Sequence, residues 1–117
     1  MPQVLANQAA GNAARDAIAA RYAGAEIEQT FQTDLGLRRV DVLTSQGEAI
    51  ESKVGYTSLT RSVQSQIAND QWLLANSPDV TGVSWEFSPS AVTGQVGPSG
   101  PLAAALDKAG IPSSIGS

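Results

Sequence analysis

Residues 38–53 read RRVDVLTSQGEAIESK, in which the runs RRVDVL and AIESK flank the turn-forming segment TSQG. We expect a β-strand on each side of this turn. Side chains on a strand alternate between its faces, so Glu51 and Lys53 share one face and the intervening residues take the other. If the strands pair antiparallel around Gly47, Asp41 converges on the face that carries Glu51 and Lys53.

The convergence of two carboxylates and an ammonium has a chemical meaning. Carboxylate oxygens are hard ligands that hold divalent cations, so Asp41 and Glu51 are candidate metal ligands. Two carboxylates and an ammonium group can form a metal-dependent site that cleaves phosphodiester bonds. The alternative interpretation is a solvated strand face on which Glu51 and Lys53 form an ordinary charge pair.

The spacing of these residues resembles a known family. An Asp, nine further residues, then Glu-x-Lys on a hairpin that follows a helix is similar to the PD-(D/E)XK nuclease superfamily, which has the restriction-endonuclease-like fold. Val40 stands where the family name has proline. The resemblance implies that Asp41 and Glu51 bind Mg²⁺ or Mn²⁺. It also implies that Lys53 orients or activates the attacking water and offsets charge that develops on the phosphate.

An alanine-rich segment precedes the hairpin. Its spacing predicts a helix over residues 6–22 whose small apolar face packs on a sheet. Members of the superfamily often supply an acidic residue from this helix, so the resemblance implies Asp16 as a third metal ligand. The alternative is an exposed Asp16 that pairs with Arg15 or with solvent. The alanines of the predicted stripe are Ala6, Ala9, Ala10, Ala13, Ala17 and Ala20.

A second helix is predicted over residues 58–74, where apolar residues recur at helical spacing. Gln66 and Asp70 lie on or beside its apolar stripe, and a polar residue there usually has a partner or a function. A Gln on the helix after Glu-x-Lys resembles the resolvase-like and toxin branches of the superfamily, in which it reaches the active site. The alternative places Gln66 on the helix flank, and we interpret Asp70 as structural, bonded to backbone or to an arginine.

The order of predicted elements is αβββαβ, which is the core order of the superfamily. The strands are expected at residues 25–33, 38–44, 49–54 and 82–87, and a last helix at 102–109. A helix that crosses from the third strand to the fourth makes that pair parallel. We therefore expect an α/β (α+β) fold with a restriction-endonuclease-like core and a mixed sheet flanked by helices. Residues 88–101 form a long loop, with or without a short hairpin at 92–96.

Composition limits the possible chemistry. A chain of 117 residues suits a single domain, 1–117, and no segment approaches a membrane span or a secretory signal. The chain has no histidine, which excludes ββα-metal nucleases, His-dependent ribonucleases and Ser-His-Asp hydrolases. It has no cysteine, which excludes disulfides and thiolate zinc sites.

The net charge of −4 argues against a nucleic-acid substrate, because duplex binding normally uses a basic footprint. Five of the seven basic residues, however, fall in elements expected to surround the site. The acidic remainder, which includes Glu26, Glu28, Asp79 and Asp107, is expected to face elsewhere. The five basic residues are Arg15, Arg38, Arg39, Lys53 and Arg61.

The sequence as a whole, including the glycine-rich tail from Val92 to Ile111, resembles restriction-endonuclease-fold toxin domains of bacterial polymorphic toxins and secreted effectors. The resemblance implies a Mg²⁺-dependent DNA endonuclease, held off by a cognate immunity protein. Such a domain is secreted within a larger effector or by a dedicated apparatus and acts in the target-cell cytoplasm. The alternatives are cleavage of RNA, including tRNA, and a non-catalytic module that binds nucleic acid or protein.

Overall fold

The computed structural model describes residues 3–116, with side chains from residue 8 onward. The chain forms three helices and seven strands within this range. The elements in chain order are α1 (Gln3–Ala19), β1 (Glu26–Thr33), β2 (Gly36–Leu43), β3 (Glu48–Val54), β4 (Tyr56–Thr57), α2 (Arg61–Asn76), β5 (Gly82–Ser88), β6 (Gly97–Pro98), α3 (Gly100–Ala109) and β7 (Ser113–Ile115).

Five strands form one mixed sheet in the order β1-β2-β3-β5-β7. The hairpins make β1, β2 and β3 antiparallel, and the crossover through α2 makes β3 and β5 parallel, as predicted. The short strand β7 adds parallel to β5, and β4 and β6 form a separate two-stranded sheet. The fold is therefore a mixed α/β fold. No helix among the described residues is long and apolar enough to cross a membrane.

The larger core lies between the sheet and helices α2 and α3. Helix α2 begins after Thr60, whose side chain accepts a hydrogen bond from the Val63 backbone amide. Its apolar stripe packs on the alternate residues of β5 that face it. Burial of these side chains removes apolar surface from water and fixes the helix on the sheet. The core includes Val63, Ile67, Leu73, Val83, Trp85, Phe87, Leu102 and Leu106.

Helix α1 packs on the opposite face of the sheet, through a smaller cluster. Ile18 is 2 % exposed and packs with Val42 and Ile50. The prediction that the alanine stripe packs on the sheet is wrong for four of its members, because the sheet contacts the face of α1 that carries Ile18. The side chain of Ala6 lies outside the described residues. The four exposed members are Ala9, Ala13, Ala17 and Ala20.

The side-chain alternation of β1 and β2 is interrupted beside Asp41. Strict alternation would put Val40 and Val42 on one face, yet Val40 packs in the larger core and Val42 in the smaller one. The ladder between β1 and β2 has no pair joining Glu28 to Asp41. Glu28 has a φ of 52°, a left-handed conformation that is rare for a residue other than glycine. This interruption turns Arg38 and Val40 toward α2.

The sequence predicted the turn at Gly47 correctly but did not decide between a loop and a hairpin at 92–96. Gly47 adopts a φ of 89° in the turn between β2 and β3, as predicted, and an added Cβ would lie 2.8 Å from the Asp79 carbonyl oxygen. The hairpin considered at residues 92–96 is not formed, because the Ser90 backbone and hydroxyl hold the loop as a turn. Strands β4, β6 and β7 were not predicted, because strands of two or three residues show no periodicity.

Candidate metal-binding site

Strands β2 and β3 bring Asp41 and Glu51 together. The register pairs Val42 with Ile50, and one further step places Asp41 opposite Glu51. The pairing between β2 and β3 ends at Val42. Beyond it, the Asp41 side chain, and not the backbone of β2, accepts a hydrogen bond from β3. The Ser52 amide donates a 2.8 Å hydrogen bond to Asp41 Oδ2. The two strands therefore separate at the position where the two carboxyl groups meet.

The surroundings of Asp41 disfavour its charge. Burial raises the pKa of Asp41, the neighbouring Glu51 carboxylate raises it further, and the result is about 6. The hydrogen bond from the Ser52 amide opposes this shift but does not cancel it. A positive charge bound beside Asp41 would stabilise its ionised form.

Glu51 is held at both oxygens. Its Oε1 accepts a 2.9 Å hydrogen bond from Arg38 Nη2, and its Oε2 lies 3.1 Å from Lys53 Nζ. Glu51 is 6 % exposed. A buried carboxylate with two cationic partners is both neutralised and oriented. The prediction that Glu51 and Lys53 share a face agrees with this contact.

Arg38 is fixed by a second carboxylate on α2. Arg38 Nε donates to Asp70 Oδ1 at 2.8 Å, and Trp85 Nε1 donates to Asp70 Oδ2 at 2.9 Å. Burial lowers the pKa of Arg38, but the Glu51 and Asp70 carboxylates outweigh burial and raise it above the ordinary value. Asp70 is therefore bonded to an arginine, as we interpreted it. Sequence gave no indication of the Trp85 contact.

Lys53 joins the strand to helix α2. Its ammonium donates a 2.8 Å hydrogen bond to Gln66 Oε1 and lies 5.4 Å from the centre of the Trp85 ring. Its side chain is 18 % exposed. Gln66 thus lies on the inward side of α2, where it contacts the residue that the family resemblance links to catalysis.

Asp16 stands apart from this cluster. Its side chain is 60 % exposed and pairs with Arg15 at 3.0 Å, while Arg15 also pairs with Glu28. Helix α1 covers the face of the sheet opposite to α2. Within residues 3–116 no three His, Cys, Asp or Glu side chains are grouped to hold one metal ion. The structure therefore joins Asp41 and Glu51, and it does not join Asp16 to them.

The basic residues surround the site less completely than expected. Arg15 lies with Asp16 on the α1 side, and Arg38 and Lys53 are held by carboxylates inside the cluster. Arg39 has a side chain that is 67 % exposed, and its nearest ion pair, to Glu28, is long at 3.7 Å. Arg61 is exposed at the first position of α2. Two exposed arginines thus remain near the site.

A polar pocket of about 480 Å³ opens over the two carboxylates. One face of α2 forms a wall, with residues at the helical spacing i, i+3, i+4 and i+7. Sequence reasoning missed three of these four residues, although this polar spacing could have shown them. Lys53 does not line the pocket but contacts Glu51 and Gln66, which do. The residues of the wall are Ser62, Ser65, Gln66 and Asn69.

A larger cavity of about 590 Å³ lies elsewhere, beside the end of α1 and the β2–β3 turn. Glu48 is the only acidic residue in its described lining, so it lacks the paired carboxylates that metal chemistry needs. The pocket over Asp41 and Glu51 is therefore the stronger candidate site, although it is smaller.

The charges of the candidate site do not cancel. Asp41, Glu51 and Asp70 contribute −3 and Arg38 and Lys53 contribute +2, which leaves −1 when all five groups are ionised. A divalent cation at the carboxylates would change this charge to +1, a sign that suits a phosphate.

Comparison of the chain with protein-family models, with curated proteins and with solved structures finds no match for it.

Proposed function

We propose that this chain is a metal-dependent endonuclease with a restriction-endonuclease-like core, in which Asp41, Glu51, Lys53 and Gln66 form the active site. One observation supports this proposal above the others. The four residues come from β2, β3 and α2, yet contacts connect them at one polar pocket. Their arrangement has the two carboxylates and the nearby ammonium that the resemblance to PD-(D/E)XK nucleases implies.

The donor set fits a hard divalent cation such as Mg²⁺ or Mn²⁺. Asp41 and Glu51 are adjacent carboxylates at an open pocket, where burial and then the Glu51 carboxylate raise the pKa of Asp41 and a bound cation would oppose both effects. Glu51 would share one oxygen that now contacts Arg38 or Lys53. A bound cation would polarise the phosphate and lower the pKa of a water molecule.

Lys53 and Gln66 have distinct roles in this proposal. The Lys53 ammonium offsets negative charge that develops on the phosphate oxygens, and this needs it to exchange its contact with Glu51 or Gln66 for one with substrate. Gln66 holds Lys53 in position until then. Arg38 and Asp70 keep Glu51 oriented from the other side and are positioning residues.

DNA is the substrate that the family resemblance favours, and RNA is the alternative within the same chemistry, because the site attacks a phosphodiester and has no group assigned to the 2′-hydroxyl. The same resemblance supports a toxin domain of an antibacterial effector that is neutralised by an immunity protein. In that role the domain reaches the cytoplasm of a target cell as part of a larger secreted effector or through a dedicated apparatus.

A non-catalytic binding module is a second candidate function. Both oxygens of Glu51 are already engaged, one by Arg38 and one by Lys53, and a buried, satisfied charge network can serve to define the fold. In that case the pocket would bind a ligand without the metal chemistry.

Incubation with nucleic acid separates the two functions. The purified chain is mixed with supercoiled plasmid, linear DNA or total RNA, in Mg²⁺ or in EDTA, with Asp41→Asn as the matched variant. The nuclease proposal expects cleavage that needs both Mg²⁺ and Asp41. Binding of nucleic acid without cleavage in Mg²⁺ or Mn²⁺ would support the binding module instead.

A further inference from the structure

The pocket over Asp41 and Glu51 has two unlike walls. The α2 wall offers hydroxyl and amide groups, of which Ser62 and Ser65 are exposed. The start of β2 supplies the other wall with Leu37 and Arg39, and Arg39 also lies 3.7 Å from Glu28. We call the space between these walls the α2–β2 cleft. Such a cleft offers a ligand both polar and apolar contacts.

The exposed positive charge along the cleft is small. Arg39 lines it, and Arg61 begins the helix that forms its polar wall. Arg15 and Arg21 are ion-paired on the α1 side of the sheet, and Lys108 lies in the last turn of α3. Proteins that grip a duplex by its backbone commonly contact about six to ten phosphates. Two arginines suit about one or two phosphates.

The apolar side chain that lines the cleft is unusually exposed. Leu37, the second residue of β2, is 70 % exposed. A leucine at the edge of a polar cleft gains stability when it covers an apolar surface. In a duplex the faces of the bases are stacked on one another and hidden, whereas an unpaired strand presents them.

We propose that the α2–β2 cleft takes an unpaired stretch of nucleic acid, with Arg39 and Arg61 on its phosphates and Leu37 against an exposed base. This inference rests on the proposed nuclease function and names its substrate class. The polar wall of Ser62 and Ser65 supplies hydrogen bonds to the sugar and base edges of such a strand.

Binding without metal tests the inference separately from cleavage. Fluorescence anisotropy in EDTA compares single strands of about twelve nucleotides, as DNA and as RNA, with duplexes of the same sequence. We expect each single strand to bind at least about tenfold more tightly than its duplex, with the tighter of the two strands identifying the natural source. The slope of log K against log salt is expected near about −1.4, for two contacts at about −0.7 each.

Matched variants locate the contacts. Leu37→Ser is expected to weaken single-strand binding about fivefold, whereas Val92→Ser, at a position that is 74 % exposed and outside the cleft, is expected to leave it unchanged. Arg39→Ala is expected to reduce the salt slope by about 0.7, and Lys108→Ala serves as its control.

The outcomes distinguish this inference from the proposed function. Equal or tighter binding of duplex, binding to neither form, or equal affinities for Leu37→Ser and Val92→Ser would each overturn the inference. Addition of Mg²⁺ then tests the function. Tight single-strand binding without cleavage would support the inference and remove the nuclease function, while cleavage confined to duplex would support the function and remove the inference.

Discussion

Gln66 Oε1 accepts a 2.8 Å hydrogen bond from the Lys53 ammonium, although one residue lies on helix α2 and the other on strand β3. The contact links the helix to the residue pair Glu51-x-Lys53 across the larger core. It gives the glutamine a defined partner on the inward side of α2. An amide oxygen is a neutral acceptor, so it orients the ammonium without cancelling its charge.

Gln66→Ala is expected to lower the turnover of the proposed nuclease about tenfold, because a hydrogen bond to a charged group contributes about 1.5 kcal/mol or more. Gln64→Ala, at an exposed position on the same helix, is the control and should retain wild-type activity. The measurement is the cleavage rate at saturating Mg²⁺, with circular dichroism to check the fold. Equal rates for the two variants would assign Gln66 to structure alone.

Lys53→Ala should reduce turnover by about two to three powers of ten, which is typical for loss of one electrostatic stabiliser of the transition state. Mg²⁺ affinity should remain nearly unchanged, because the carboxylates of Asp41 and Glu51 remain. Lys53→Arg should restore little activity, since the guanidinium is larger and forked. Cleavage kinetics and calorimetric Mg²⁺ titration measure both effects, and wild-type turnover in Lys53→Ala would refute a catalytic lysine.

Asp41→Asn should change how the free energy of unfolding depends on pH. The folded pKa of Asp41 is raised from 3.8 to about 6, so between these values the folded protein holds a proton that the unfolded chain releases. Stability from this group is fully present below pH 3.8 and is lost as the pH rises through about 6. The free energy of unfolding that is lost in this way amounts to up to about 3 kcal/mol, because each pKa unit corresponds to about 1.4 kcal/mol.

Urea unfolding in EDTA at stepped pH measures this effect. Wild type should lose stability relative to Asp41→Asn from about pH 4 to about pH 7. Mg²⁺ should then stabilise wild type selectively at the upper end of this window, because a cation that binds the folded state shifts the unfolding equilibrium. Stability curves that stay parallel would contradict the raised pKa, and Mg²⁺ stabilisation of both proteins alike would contradict Asp41 as a ligand.

Asp70→Ala is expected to destabilise the fold by about 3 kcal/mol, because it leaves the buried Arg38 guanidinium with one carboxylate partner and removes the acceptor of Trp85 Nε1. Asp79→Ala, at an exposed position, should stay within about 0.5 kcal/mol of wild type. Chemical denaturation gives both values. A loss no larger than that of Asp79→Ala would show that Asp70 does not anchor Arg38.

Local pattern was sufficient to predict much of the site. Strand geometry, in which side chains alternate between the two faces, placed Glu51 and Lys53 on one face, and the turn at Gly47 brought Asp41 opposite Glu51. The helical spacing of residues 58–74 turned Gln66 inward. These features depend on backbone periodicity and turn geometry, and both are set by residues that are close in sequence.

Other features depended on which surfaces meet in three dimensions. Alanine spacing favoured one face of α1, yet the sheet contacts the face with Ile18, which packs against Val42 and Ile50 from two strands distant in sequence. The same placement keeps Asp16 away from Asp41. Arg38 lies in the charged cluster because the alternation of side chains between the two sheet faces is interrupted beside Glu28. No local sequence pattern predicts this distortion.

The sequence by itself therefore determined the order of the three helices and of the four longer strands, the hairpin and the grouping of two carboxylates with a lysine. Tertiary structure alone decided which groups pair: Asp70 and Glu51 with Arg38, and Gln66 with Lys53, beside a pocket lined by the polar face of α2. The physical reason is the range of the forces. Periodicity and turns act within a few residues, whereas the burial and pairing of charges depend on contacts between segments far apart in the chain.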